Sequence, residues 1–141
     1  MSKSIAYILS NASAVTDLLA DGADSVSTLY NPQGQNLPCV VVLEDNVEDF
    51  GSYSSPSEGD KVSVTVYAIA KQQYDGDSEK GAYDIVNQCR KTMEASADGT
   101  YNGETVSFIR KEGGIVSEYV DWAGSDVVTC YQRFTMWREV D

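Results

Sequence analysis

The chain contains no histidine. That absence removes the commonest general base and every His-based catalytic triad. Cysteine is scarce too: Cys39, Cys89 and Cys130 lie 50 and 41 residues apart, an odd number without a C-x-x-C spacing. Such a set argues against a disulfide frame and against a zinc site. Each cysteine falls at an apolar position of a predicted element and reads as a small buried hydrophobe. No apolar run approaches the roughly 20 residues of a membrane span. Met1-Ser2-Lys3-Ser4-Ile5 lacks the long apolar region of a signal peptide, so a soluble, intracellular chain is expected. No Ser-x-x-Lys pair, Walker loop or G-x-G-x-x-G occurs. Basic residues are few, ten against 22 acids, giving a net charge of −12. They are scattered along the chain, so an isolated domain is expected to repel nucleic acid, whose phosphates must be neutralised for binding.

What is present is a set of strand patterns. In Leu37-Pro38-Cys39-Val40-Val41-Val42-Leu43 a short apolar run follows the turn formers of 32–36. This reads as a strand buried on both faces, with neighbours on either side. Pro38 fits the first residue of a strand, where a ladder N–H is least needed. In 61–70, Val62, Val64, Val66, Ala68 and Ala70 alternate with Ser63, Thr65, Tyr67 and Ile69. In 126–138, Val128, Cys130, Phe134 and Met136 alternate with Thr129, Tyr131, Arg133 and Trp137. Period two with one apolar face predicts strands half open to solvent or to a partner.

Around these strands, Ile5, Ile8, Leu9 and Ala12, then Val15, Leu18 and Leu19, predict a helix broken near 10–13, with Ser13 as a cap of its second piece. Residues 26–30 are a weak strand candidate. Ala82, Ile85, Val86, Cys89 and Met93 predict a helix that starts at Asp77 or Ser78, ends near Asp98-Gly99 and lies across the sheet. Residues 104–111 and 115–122 read as a hairpin around Gly113-Gly114. Asp75-Gly76-Asp77 resembles the start of a calcium loop but fails it, since Lys80 and Val86 stand where Gly and Glu are required. A carboxylate pair such as Asp121 with Asp126 suits glycosidase chemistry only in principle, and a solvated turn explains it equally well. These patterns make one domain over 1–141, built of a sheet and the helices that cover it.

Residues 44–60 carry six acids and no basic residue, and their middle is loop chemistry throughout. A polar loop of that length between two strong strands is uncommon unless it has a task. It also carries Phe50 and Tyr53, ring residues of the kind that anchor partners, although Phe50 equally well continues the preceding strand and packs within the domain. Together with the open strand-face residues Tyr67, Tyr131, Arg133 and Trp137, they form the candidate partner-binding set.

The order of elements resembles the tail terminator (tail-completion, minor tail protein) family of long-tailed bacteriophages. The residues that carry the resemblance are Gln35-Asn36-Leu37-Pro38-Cys39-Val40-Val41-Val42 and Val62-Ser63-Val64-Thr65-Val66-Tyr67. The turn at 119–126 into Tyr131-Gln132-Arg133-Phe134-Thr135-Met136 completes them. The pattern spans nearly the whole chain, and its weight lies in order and spacing. The resemblance implies a single α+β domain, with two α-helices packed on one face of an antiparallel or mixed sheet, and a non-enzymatic virion protein without cofactor or metal. It would form a homo-oligomeric ring, usually a hexamer, at the head–tail junction after assembly in the host cytoplasm. That ring would cap the tail tube protein, end tube polymerisation and present a surface to the head–tail connector protein. DNA would pass through the lumen without specific binding, which an acidic wall favours; no membrane is involved. Two alternatives from other classes are a small α+β ligand-binding domain and an acidic inhibitor that mimics DNA.

Overall fold

The structure, a computed structural model, describes residues 3–28, 36–49, 60–71, 77–96, 99–101, 103–122 and 125–140. The first helical pattern divides into α1 (Lys3–Ser10) and the single turn α2 (Ser13–Thr16). The break falls where expected, but Ser13 is not the cap: Ala12 holds that position and no side chain caps α2. A 3-10 turn at Gly22–Ser25 leads into β1 (Val26–Ser27). Then follow β2 (Cys39–Asp49), β3 (Asp60–Lys71), α3 (Asp77–Ala95), β4 (Gly99–Tyr101), β5 (Glu104–Trp122) and β6 (Ser125–Val140).

Among the described residues six strands form one sheet in the order β1-β2-β3-β6-β5-β4. Of their pairings only β1–β2 is parallel, so the sheet is mixed and the fold is α+β. β2 lies between β1 and β3, and the valine run accordingly buries both of its faces. Val40 and Val42 join β3's Val62, Val64 and Val66, β6's Phe134 and Met136, and the apolar residues of the helices in one cluster. Each such valine contributes about 1.5–3 kcal/mol by leaving water. Cys39 and Val41 point the other way, into a smaller cluster with Ile69 and Val127. Among the described residues no helix contributes to that second cluster.

Two further expectations are corrected. Residues 104–122 are one continuous strand rather than a hairpin around Gly113-Gly114. β6 is 16 residues long and pairs with β5 on both sides of the glycines. The surplus residues are absorbed as a bulge between Glu112 and Val116, where Gly113 takes φ 71°. Nor is 44–60 a loop throughout. β2 continues to Asp49 and β3 begins at Asp60, pairing past an irregularity between Glu44 and Asn46. Ladder hydrogen bonds belong to the backbone and form as readily between acidic residues when charge is compensated nearby. For Glu44 the compensation is Arg138 of β6.

Candidate functional site

Strand register determines which side chains share a face, because successive residues alternate. Across the middle of the sheet, Val41 of β2 stands opposite Tyr67 of β3, Tyr67 opposite Tyr131 of β6, and Tyr131 opposite Val116 of β5. The next row is Leu43, Thr65, Arg133 and Glu112, and further along Lys61 stands opposite Trp137. All belong to the face away from the helix-bearing cluster. The structure therefore brings together four of the residues singled out from sequence: Tyr67, Tyr131, Arg133 and Trp137. Phe50 and Tyr53 lie outside the described residues.

The centre of this face is apolar and aromatic. The Tyr67 and Tyr131 rings meet with centroids 5.2 Å apart and planes tilted by 40°, a favourable offset for two quadrupoles. Both rings and Trp137 are half-buried, while Val116 is 43% exposed. Polar contacts hold the sheet's surface in place. The Tyr131 hydroxyl donates to Glu118 Oε1 at 3.4 Å, and the Thr135 hydroxyl donates to Glu112. Arg133 and Arg110 are exposed and form no ion pair among the described residues.

On the helix-bearing side the structure places a buried charged group that period-two reading passed over. Arg138, 7% exposed, pairs through Nη1 with Glu44 and through Nε with Glu104 Oε2 at 3.2 Å. Glu104 Oε1 also accepts the Ser4 backbone N–H at 2.9 Å, satisfying a donor of α1's first turn. One guanidinium thus ties β2, β5 and β6 together, and Glu104 carries the tie to α1. Gln132 was missed as well. It lies in phase with Val128, Cys130, Phe134 and Met136, and its Nε2 donates to the Gly113 carbonyl at 3.0 Å, holding the β5 bulge. The phase alone identified it as inward; only the bulge explains why an amide is there.

The cysteines behave as read: all three are buried and none forms a disulfide. Burial pushes the Cys39 thiol up to about 11 and the Cys89 thiol up to about 12, away from the thiolate form that reacts. No group of three or more cysteine, aspartate or glutamate residues suited to a metal ion occurs among the described residues. The chemistry this arrangement supports is recognition: an aromatic platform with charged side chains around it.

Neither a protein-family profile nor a curated protein sequence matches the chain. A solved structure does. A chain described as "Virion of native gene transfer agent (GTA) particle" superposes with a TM-score of 0.69 at 11% identity, covering 96% of this chain and 92% of that one. The two chains share a fold from end to end.

Proposed function

We propose that this protein is a structural, non-enzymatic component of a bacteriophage virion that works by assembly at the tail. Within the tail it acts as a terminator. A ring of copies, a hexamer as the resemblance to tail terminators implies, caps the tail tube, ends its polymerisation and offers the head-side connector a surface at the head–tail junction. The observation that carries the virion role is the whole-length correspondence of fold with a virion protein. The tail-terminator role rests on the order and spacing of the sequence elements.

The helix-free sheet face supports recognition of proteins as the mode of action. Tyr, Trp and Arg are the residue types that dominate binding energy at interfaces, and Tyr67, Tyr131, Trp137 and Arg133 share this face. The same face counts against an acidic DNA mimic, because among its described side chains four basic residues, Lys61, Lys71, Arg110 and Arg133, stand against the two exposed acids Glu112 and Glu118.

The test is complementation of a phage whose copy of this gene is deleted, followed by electron microscopy. The wild-type chain should restore particles with heads joined to tails of uniform length. A Tyr131→Ala, Arg133→Ala variant that remains folded should leave tubes of irregular length or unjoined tails. Full particle yield without the gene would remove the tail-terminator role.

A further inference from the structure

Charge is distributed unevenly across the sheet. Residues 4–60 contain nine acids and no lysine or arginine. On the helical side, Asp17, Asp21 and Asp24 are exposed at the corner formed by α2 and the 3-10 turn. Leu18 stands among them, 44% exposed. On the opposite face, Lys61, Lys71, Arg110 and Arg133 share their register rows with Trp137, Val127, Thr135 and Thr65. Glu112 and Glu118 are the exposed acids there among the described side chains. The molecule thus has an acidic corner with an apolar centre on one side and an aromatic centre with a basic rim on the other.

We infer that the helix-free face is occupied by a second copy of this chain, seated through its acidic α2 corner. This deepens the self-assembly reading above and rests on it, by naming the two surfaces that meet. Leu18 packs on the platform of Tyr67, Tyr131 and Val116, and Asp17 and Asp24 lie against Arg110 and Arg133. Such a contact joins different patches on the two copies. It is heterologous, and it generates a ring when the rotation closes. Copies of like net charge still associate this way. The opposed patches meet within a Debye length of about 8 Å at physiological salt, while the remaining acids lie farther apart and are screened.

Charge exchange on the full chain tests the contact. One variant carries Asp17→Lys and Asp24→Lys; the other carries Arg110→Glu and Arg133→Glu. All four sites are exposed, so both variants should keep the wild-type circular dichroism. Sedimentation velocity of the wild type should show association. Each variant alone should associate about tenfold or more weakly, since two rim pairs become repulsive. An equimolar mixture should recover association, because the reversed corner of one now faces the reversed face of the other. A monomeric wild type, or variants that associate as well as the wild type, would overturn the inference. So would a mixture that fails to recover. Variants that associate normally would leave self-assembly intact and place its interface elsewhere. Retardation of duplex DNA by the wild type, lost in the Arg110→Glu, Arg133→Glu variant, would assign the face to nucleic acid instead.

Discussion

Replacing Arg138 by methionine isolates the buried ionic group. Arg138 is 7% exposed and Glu104 8%, so neither charge has much water to turn to. Methionine keeps much of the side-chain length and takes the guanidinium away from the buried Glu104 and from Glu44, whose side chain is 11% exposed. Their carboxylates converge on one guanidinium, so they also repel each other once it is gone. Breaking a buried pair by removing one partner costs about 3–5 kcal/mol. For a domain of this size, that corresponds to a fall in melting temperature of roughly 10–15 °C. The cost comes from stranded charge rather than lost packing, and one further result follows. Adding Glu44→Gln and Glu104→Gln to Arg138→Met should recover most of the loss, to within about 2 kcal/mol. Thermal denaturation followed by circular dichroism reads both. An Arg138→Met protein that melts with the wild type would show that the group is solvated in solution, and the reasoning would fail.

Other perturbations probe separate parts of the fold. Val41→Asp should cost at least about 4 kcal/mol and give insoluble or unfolded protein, because Val41 is fully buried on the helix-free side; a soluble mutant with an unchanged melt would refute this. Gln132→Ala should lose about 1–3 kcal/mol, from its bond to the Gly113 carbonyl and from the space it leaves, and should speed hydrogen exchange around the β5 bulge. Burial favours the neutral thiols of Cys39 and Cys89, raised to about 11 and about 12. Their contribution is therefore intact below the ordinary thiol value of 9.0 and is lost as pH rises through those values. Urea midpoints should fall over that alkaline range, less so in a Cys39→Ala, Cys89→Ala control, and native thiols should resist alkylation until the chain unfolds. Isolated protein should not retard duplex DNA at about 0.1 M salt, where screening leaves only close contacts effective.

Much of this protein was legible from local pattern. Val62, Val64 and Val66, or Val128 and Cys130, announce a strand and its inward face, because alternation is a property of the extended backbone itself. Ile85, Val86, Cys89 and Met93 do the same for α3. Absent chemistry was equally readable, since a missing histidine needs no fold to be missing. Even the outward residues Tyr67, Tyr131, Arg133 and Trp137 were legible as a set, each being out of phase with its strand's core residues.

What the tertiary structure decided is whatever depends on distant partners. Gly113-Gly114 suits either a turn or a bulge, and the length of β6 chose the bulge. The acids at the start of 44–60 read as loop because charge is costly in a sheet, yet Arg138, 94 residues from Glu44, carries the compensating charge. Strand order likewise comes from pairing, and it alone placed Tyr67 beside Tyr131 and Arg110 on their side of the sheet. Alternation is written in neighbouring residues, whereas the cost of a buried charge or the choice of a strand's partner is settled only when remote segments meet.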